Sequence, residues 1–580
     1  MNTTQPRLVS VECVSDLPVL WAHIQRLDLL THLQRHFPTP LHWKGRLTPA
    51  DVLAVWLLFI LSHSDHRLNH VEPWVAQHQG VLCALLGKPI VPTDLQDDRL
   101  ADWLSRLSAD DAWASFEQDL NRHTIRVYQL PTDTIRIDTT TANSYADVLS
   151  EQGLLQFGYS KDDPTRPQLK IAAAVLDPLG MPLITTVVPG NTADDPLYIP
   201  AIHAVKKCVG VSGLTFVGDC KMAAHETRAE VKAGEDFYLC PLPESQVSRA
   251  DRGKLLKPVW DGTQPLQRVE RPGPEGKETE LVAEGFSIDV ELTAQVEEKK
   301  VSWTERRWLV RSVAYASAQE AALDRHLAKA EAAIGDLTTR KQGKKRLSQT
   351  ELTAAADAIL KREGVSGLLS YTVTATSTTH HKRAYAGRPG SEETTMLLAV
   401  EVQRNEVAIL EKKRELGWQV YASNDLRRGL THVVWAYRGQ YRIENDWSRL
   451  KGRPLGLTPI YLQDEQRIQG LVHLLSLALR ILTLSEWVVR ERLRQTGEKL
   501  RGVYAGQAGR KTATPSAEVL LEVMKTINIS VIEVNNQQYV LLSPLTEMQK
   551  KLLTLWGLPA DLYENVIRNF PKSARNTSEP

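Results

Sequence analysis

Five strand patterns and two helix patterns follow one another between residues 131 and 241, and their order constrains the fold more than any other feature. Residues 134–138 alternate with a period of two, which predicts a strand that ends on Asp138. Turn residues at 177–182 separate the next two strand patterns, 169–176 and 183–188, and predict a hairpin. The patterns that follow are a helix over 196–209, a strand over 214–219, a helix over 223–232 and a strand over 237–240. This order indicates an α/β fold with a mixed sheet flanked by helices.

The chain has 580 residues, too many for one hydrophobic core, so we expect several domains. We predict a helical N-terminal region (1–130), the first part of the α/β core (131–241), an insertion (242–415), the second part of the core (416–491) and a helix-rich C-terminal region (492–580). Further predicted elements are helices over 49–61, 98–107, 109–121, 318–334, 351–362 and 464–490, strands over 286–292, 307–313 and 417–424, a strand pair around 529–542, and a loop over 262–280.

The composition is that of an ordinary soluble protein, with 42% hydrophobic residues and a net charge of +1. This charge neither indicates nor excludes nucleic acid, because such binding depends on local patches. The five cysteines are scattered, so we expect neither a zinc site nor a disulfide framework, and a reducing, cytoplasmic setting is expected. The polar N-terminus predicts no signal peptide. The apolar stretches 52–61 and 471–484 are too short to span a bilayer, and both are expected to be buried helices.

Tyr437, Glu444 and Lys451 recur at intervals of seven residues, which is close to two turns of an α-helix. On one helix, all three side chains would project from the same face. The carboxylate suits a metal ion, whereas the ammonium and the phenol suit a phosphate. The alternative is an ordinary solvated helix face, and the spacing alone leaves the two interpretations close.

Two aspartates upstream could supply further metal ligands. Asp138 closes the first predicted strand and is followed by three threonines, a polar run that can leave the sheet. Asp219 closes a buried apolar strand, with Gly218 before it to permit a close approach. Ligands bind at the rims of open mixed sheets, and phosphodiester cleavage uses two divalent ions held by converging carboxylates. With Glu444, the aspartates would form a three-carboxylate site for phosphoryl transfer on nucleic acid, although a single aspartate at a strand end is more often structural.

At these motifs the sequence resembles the bacterial transposases of the insertion-sequence-4 family, most closely its insertion-sequence-1634-like group, over most of the chain. Residues 137–141 resemble the first-aspartate strand of the family, and residues 217–222 resemble the second. Residues 158–162, 180–183 and 189–194 resemble its hairpin and loop signature. The signature Y-x2-R-x3-E-x6-K is matched at Tyr437, Glu444 and Lys451, but Gln440 stands at the arginine position.

The resemblance implies an RNase H-like catalytic core in which Asp138, Asp219 and Glu444 hold two Mg²⁺ ions, with Mn²⁺ able to substitute. It implies that Tyr437 and Lys451 contact the phosphates that flank the cut. Gln440 and Arg442 are further candidates for phosphate binding, and Gln440 lacks the charge of the family's arginine.

The implied enzyme is a DDE transposase that acts on double-stranded DNA. It would bind the terminal inverted repeats of its insertion sequence, with its N-terminal helices as the predicted DNA-end binding region. It would cut the strands with metal-activated water and join the 3′ ends to target DNA. Because two ends must be held together, a homodimer is expected in the DNA complex.

The 225 positions between Asp219 and Glu444 fit the β-rich insertion domain that such transposases carry. Trp303 and Trp308 are candidates to hold a flipped base there, although a tryptophan on a strand is usually part of the core. The basic run 340–346 is either a grip on the DNA backbone or a solvated loop. Other polar residues are expected to have ordinary roles: Asn143, Lys161, Asp162 and Asn191 in loop solvation, His380 and His381 in an exposed loop, and His473 as a satisfied core histidine.

Three alternative functions come from other classes. An RNase H-like nuclease would cut DNA without strand transfer. An inactive or domesticated relic would bind DNA without cutting it, and Gln440 is the sequence feature that favours it. A hydrolase of small esters would need a nucleophile-elbow motif, which the sequence lacks.

Overall fold

A computed structural model describes residues 6–41, 43–148, 150–160, 162–273, 278–339, 347–382, 391–535 and 537–571. The helices, in chain order, are α1 (Leu17–Arg26), α2 (Leu29–His36), α3 (Pro49–His63), α4 (Val71–Gln77), α5 (Gln79–Leu86), α6 (Asp97–Leu107), α7 (Asp110–Tyr128), α8 (Tyr198–Val209), α9 (His225–Ala233), α10 (Arg249–Trp260), α11 (Val313–Gly335), α12 (Gln349–Glu363), α13 (Glu406–Arg414), α14 (Leu430–Arg438), α15 (Tyr441–Lys451), α16 (Glu465–Thr496), α17 (Ala517–Glu522), α18 (Glu547–Trp556) and α19 (Leu562–Asn569). The strands are β1 (Arg7–Cys13), β2 (Thr134–Asn143), β3 (Gln168–Leu176), β4 (Met181–Pro189), β5 (Thr215–Val217), β6 (Phe237–Pro241), β7 (Gln267–Arg271), β8 (Glu280–Val296), β9 (Lys299–Ser312), β10 (Leu369–Lys382), β11 (Ser391–Arg404), β12 (Trp418–Ser423), β13 (Leu500–Arg501), β14 (Lys511–Thr512), β15 (Asn528–Val534) and β16 (Gln537–Leu542).

The chain folds into two compact units. The first unit comprises Met1–Cys240, Leu292–Trp303 and Ala436–Pro580, and the second comprises Pro241–Glu291 and Thr304–Trp435. The predicted first and second parts of the α/β core thus both contribute to the first unit.

A mixed sheet lies at the centre of the first unit, with its strands in the order β4-β3-β2-β5-β6. The first three strands are antiparallel, whereas β5 runs parallel to both β2 and β6. Helices α7, α8, α15 and α16 pack against this sheet. The prediction of an α/β fold with a mixed sheet flanked by helices is confirmed.

The sequence accounts well for β3 and β4. Every residue of β3 is buried, which explains its continuous apolar run. Strands β3 and β4 pair antiparallel, as the hairpin prediction required, and Gly180 in the turn has the positive φ of +77° that favours glycine.

The N-terminal region is largely helical, and α3 shows why its sequence forms a helix. Thr48 and Asp51 make a capping box at its start, and Pro49 occupies the first turn, where no backbone N–H is needed. The region also contains β1, which the sequence analysis did not predict. This strand pairs with β15 from the far end of the chain, so its partner could not be recognised locally.

Helix α16 is the core helix of the first unit. By length and composition alone it could cross a membrane, but 94% of its most apolar window is buried inside the protein. The predicted burial of 471–484 is confirmed, as is that of 52–61 within α3. His473 on this helix is a satisfied core residue, because its Nδ1 lies 2.7 Å from the carbonyl oxygen of Leu107.

Two hydrophobic clusters stabilise the second unit. One lies between α11, α12 and the start of β10, with Leu327, Ile334 and Leu360 among its buried members. The other lies on the strands β8, β9 and β12, which follow the order β12-β9-β8-β7, and includes Leu309 and Trp418. The prediction that 262–280 is loop is wrong in part, because Gln267–Arg271 form β7, which pairs antiparallel with β8. Only Val269 of this strand is buried, so its sequence carries little apolar signal.

The long hairpin of β10 and β11 was not predicted. It contains His380 and His381, which are exposed as expected but lie in a strand rather than a loop. Strand β10 is rich in threonine and has few apolar residues, so its sequence gives a weak strand signal.

Stability of the first unit should fall as the pH drops below neutral. Burial lowers the pKa values of His23 and His473 to about 4, so both are neutral in the folded chain at pH 7. Because the folded pKa lies below the unfolded value of 6.5, the stability contributed by each is complete above pH 6.5 and is lost as the pH falls toward 4. The loss reaches about 3 kcal/mol per histidine at full protonation.

Urea unfolding between pH 7 and 4 checks this expectation. His473→Gln should lower the stability at pH 7 but flatten its decrease with pH, whereas the exposed control His380→Gln should leave the whole curve unchanged. An equally steep decrease in the His473→Gln chain would contradict the assignment.

Candidate functional site

Asp138 lies within β2, and Asp219 lies two residues beyond the end of the neighbouring strand β5, so the prediction that Asp219 closes this strand is wrong by two residues. In the parallel pair β2 and β5, Arg136 lies opposite Val217. Asp138 and Asp219 each follow this last pair by two residues. Since neighbouring strands lie about 4.8 Å apart, the register places the two residues side by side at the edge of the sheet where β5 ends.

The prediction that the first strand ends on Asp138 is wrong. Strand β2 continues to Asn143, and Thr139, Thr140 and Thr141 remain paired with β3. Threonine is β-branched and fits a strand well, so the polar run does not leave the sheet. The rim beside Asp138 is formed by the end of β5 instead.

Asp138 accepts a hydrogen bond from a side chain on helix α15. The indole Nε1 of Trp447 on α15 donates a hydrogen bond of 3.0 Å to Oδ2 of Asp138. Trp447 is itself buried, with 8% of its surface exposed, so the donor has a fixed position. Helix α15 packs on β2, which is why the aspartate and the indole meet.

Asp219 is held by α8 and by its own turn. The hydroxyl of the buried Tyr198 donates to Oδ1 of Asp219 at 2.7 Å, and the backbone N–H of Lys221 donates to the same oxygen at 2.8 Å. Gly218 allows this turn, since a Cβ there would lie 2.7 Å from the sulfur of Met222 and 3.1 Å from the Tyr198 ring. The predicted role of Gly218 in a close approach is confirmed.

The negative charge of this region contributes to the raised pKa values of two tyrosines. Burial raises the pKa of Tyr198 well above 10, and the carboxylates of Asp219, Asp138 and Asp194 raise it further. Burial likewise raises the pKa of Tyr437, with further contributions from the charges of Asp219 and Asp138. Tyr437 is therefore close enough to both aspartates to sense their charge.

The prediction that Tyr437, Glu444 and Lys451 share one helix face is wrong. Helix α14 ends at Arg438 and α15 begins at Tyr441, with a turn at Gly439 and Gln440 between them. The turn passes close to the guanidinium of Arg136, and a Cβ on Gly439 would lie only 2.2 Å from its Nη2. Tyr437 therefore belongs to a different helix from Glu444 and Lys451.

Glu444 lies in the first turn of α15, one turn before Trp447, and is exposed. Its carboxylate makes no hydrogen bond or ion pair with any residue that the structure describes. Across the same residues, no three His, Cys, Asp or Glu side chains stand close enough together to hold a metal ion as they are. The structure thus brings Asp138 and Asp219 together but does not add Glu444 to them.

Gln440 and Arg442 are occupied by contacts within the protein. Oε1 of Gln440 accepts a hydrogen bond of 3.4 Å from the buried Arg136, whose guanidinium also donates to the carbonyl oxygen of Ala436 and to Asp177. Arg442 donates to the same Asp177 carboxylate at 2.6 Å. Alternation along β2 places Arg136 on the face of Asp138, so a period-two analysis could have identified this internal cation.

Lys451 lies at the end of α15, near the far end of β2. Its Nζ is 3.0 Å from Oδ2 of Asp162 and 3.4 Å from the carbonyl oxygen of Thr141. The Asp162 carboxylate is about half exposed, so this ion pair is open to solvent. Asp162 therefore has a specific partner beyond loop solvation.

Sequence analysis missed a further acid–base pair beside the site. The half-buried Asp194 accepts hydrogen bonds from Nζ of Lys170 at 2.7 Å and from the hydroxyl of Thr139 at 3.0 Å. Burial alone would raise the pKa of Asp194, but these two hydrogen bonds and the charges of Lys170 and Lys221 together hold the pKa below its usual value. The local signal for this pair was Lys170, a cation within an otherwise apolar strand.

Of the remaining predicted residues, some are buried in the structure and others lie outside the residues that it describes. Trp303 and Trp308 are buried, and the indole of Trp303 donates to the Tyr238 hydroxyl at 2.9 Å, so neither ring is exposed to a base. The prediction of loop solvation is wrong for Asn143, which is buried at the end of β2 and hydrogen-bonded to Ser160 and the carbonyl oxygen of Asp163. The run 340–346 and Lys161 lie outside the described residues.

No protein-family model matches the sequence, and no curated protein matches it either. Among solved structures, the chain is distantly similar to a piggyBac transposase determined by cryo-EM as a synaptic complex with hairpin DNA. The TM-score is 0.35 and the sequence identity 9%, over 97% of this chain and 87% of that one. A likeness this distant does not establish a shared fold, so the function must be argued from the residues of the site.

Proposed function

We propose that this protein is a DNA transposase whose catalytic carboxylates are Asp138, Asp219 and Glu444. The observation that carries the proposal is the equal level of the two aspartates beyond the last β2–β5 pair. Two neighbouring carboxylates repel each other when both are ionised, and a bound cation would remove this repulsion. The sequence motifs around all three residues support the same interpretation.

The donor set fits Mg²⁺, because carboxylate oxygens are the ligands that this hard cation prefers. Asp138 and Asp219 would hold it from the sheet, and the unengaged carboxylate of Glu444 would complete the site from α15. Bound magnesium would activate the attacking oxygen and stabilise the leaving oxygen of a phosphodiester, with Mn²⁺ able to substitute.

The neighbouring side chains orient the carboxylates. Trp447 and Tyr198 each donate to one oxygen of an aspartate, which fixes the rotamers of Asp138 and Asp219. Lys170 bonds Asp194 and so limits the negative charge beside the pair. These groups would hold the two aspartates in position for a cation and would pair the neighbouring Asp194 with a lysine.

Lys451 and Tyr437 would contact the phosphates that flank the cut. Lys451 forms an ion pair with the half-exposed carboxylate of Asp162, so a DNA phosphate can displace Asp162 without uncovering a buried charge. Gln440 and Arg442 are less suited to this role, because Arg136 and Asp177 already engage them. Arg136 would instead stabilise the turn between α14 and α15, because its guanidinium donates hydrogen bonds to Gln440 and to the carbonyl oxygen of Ala436.

The strand order β4-β3-β2-β5-β6 supports an RNase H-like core. In this order β4, β3 and β2 pair antiparallel, and β5 pairs parallel with both β2 and β6. The proposed partners are the terminal inverted repeats of an insertion sequence and its target DNA. A homodimer would hold the two ends, and the N-terminal helices would bind them.

A donor plasmid that carries the element ends, incubated with a target plasmid and Mg²⁺, tests this proposal. Strand cleavage at the element boundary, with 3′ ends joined to the target, is the expected result, and EDTA should abolish it. Cleavage without joined products would favour a nuclease. Binding of the ends without cleavage would favour the relic and turn attention to Gln440.

A further inference from the structure

Four exposed aromatic side chains lie on the segments that follow β2, precede β3 and follow α15. The rings of Tyr145 and Tyr461 stack with their centroids 5.0 Å apart and their planes at 29°. Tyr461 is 67% exposed, and Tyr159 and Phe157 are exposed by 87% and 59%. We call Tyr145, Phe157, Tyr159 and Tyr461, together with Arg166, the aromatic platform.

A cation completes the platform. The guanidinium carbon of Arg166 lies 3.7 Å from the centroid of the Tyr145 ring, a cation–π contact. Tyr145 thus contacts both Arg166 and Tyr461, while most of the Tyr461 ring remains open to solvent. Flat aromatic faces beside a guanidinium are suited to stack a nucleobase and to attract its phosphate.

Hydrogen bonds of the backbone fix the platform in place. The N–H of Tyr145 donates to the carbonyl oxygen of Ile460 at 2.8 Å, which joins the two stacked segments. Nε2 of Gln168 donates to the carbonyl oxygen of Tyr159 at 3.1 Å. The rings are therefore exposed on a supported backbone, so little conformational entropy is lost when a ligand binds them.

The platform adjoins the proposed phosphate contact. The backbone N–H of Thr458, three residues before Tyr461, donates to the carbonyl oxygen of Lys451 at 3.0 Å. The hydroxyl of Ser160, next to Tyr159, donates to Oδ1 of Asn143 at 3.2 Å. A DNA strand that reaches Lys451 would thus pass beside the exposed rings.

We propose that the aromatic platform stacks unpaired nucleobases of a DNA strand next to the cleavage site. This inference rests on the proposed function, since it takes DNA as the ligand. The open face of Tyr461 would take a base, Tyr159 would take its neighbour or the same base from another side, and Arg166 would contact the backbone. Such stacking tolerates any base, because every base has a π face.

Fluorescence anisotropy with a labelled oligothymidine and a duplex of the same length tests this inference without requiring cleavage. Tyr461→Ala should bind the single strand about tenfold more weakly than the unaltered chain and bind the duplex equally well. Tyr461→Trp should retain the affinity for the single strand. The matched control is Tyr539→Ala, which removes an exposed tyrosine on β16 and should change neither affinity.

Equal single-strand affinity of Tyr461→Ala and the unaltered chain would overturn the inference, as would a loss of duplex binding of the same size. The absence of any DNA binding by the unaltered chain would overturn the inference and the proposed function together. If Tyr461→Ala weakens single-strand binding but the unaltered chain never cleaves, the platform stands and the catalytic proposal fails.

Discussion

Asp138→Asn and Asp219→Asn should each reduce DNA strand cleavage by at least about a thousandfold while leaving DNA binding intact. Each substitution removes a negative charge from the proposed cation site but preserves the shape of the side chain and an oxygen that accepts a hydrogen bond. Tyr198 can thus still donate to residue 219, and Trp447 to residue 138. The loss corresponds to about 4 kcal/mol of transition-state stabilisation.

Single-turnover cleavage, with DNA affinity measured in parallel, checks this prediction. Asp195→Asn is the matched control, because Asp195 lies near the site but is exposed and faces Lys221 at 3.9 Å. It should retain most of the activity. Activity of either site variant within tenfold of the unaltered chain would remove that aspartate from the catalytic site.

Arg480→Met should destabilise the first unit by about 3 to 5 kcal/mol. Arg480 is completely buried on α16, and its Nη2 lies 3.3 Å from Oε1 of the buried Glu117 on α7. Burial raises the pKa of Glu117 to about 7, although the charge of Arg480 opposes this shift. Removal of the guanidinium leaves a buried acid without its cation and leaves the carbonyl oxygen of Pro182 without its donor.

A double-mutant cycle separates the ion pair from the loss of packing. Glu117→Gln combined with Arg480→Met leaves no buried charge and should recover much of the lost stability. Thermal and urea unfolding measure the four chains. A loss below about 1 kcal/mol for Arg480→Met, or a double variant less stable than both single variants, would contradict the prediction.

Local sequence patterns predicted the central elements of the fold because these elements carry their own signals. The buried run of β3, the turn before β4 and the apolar length of α16 are each visible within a short window. The role of Gly218 could be predicted for the same reason, since the close approach that it permits involves Met222, four residues away, and the turn at Asp219.

Long-range partners explain most of what was missed. The end of β2 depends on its pairing with β3, so the threonines after Asp138 were misassigned. The turn between α14 and α15 packs against Arg136, a residue 303 positions before Gly439 in the chain. The sequence around Tyr198 did not indicate a functional role, because that role depends on a hydrogen bond to Asp219.

The residues of the candidate site stay a prediction from the sequence, and their geometry could not be predicted from it. Strand register accounts for the pairing of Asp138 and Asp219, and no pattern within either strand reveals it. Seven-residue spacing predicted a common face for Tyr437, Glu444 and Lys451, but helical periodicity applies only while the helix is continuous.

Magnesium-dependent cleavage of DNA that carries the element ends, compared between the unaltered chain and Glu444→Gln, tests the three-carboxylate site most directly. We expect the unaltered chain to cut at the element boundary, whereas Glu444→Gln should bind the same DNA with unchanged affinity and not cut it. Equal cleavage by the two proteins would contradict the account, because the third carboxylate of the site would then not be Glu444.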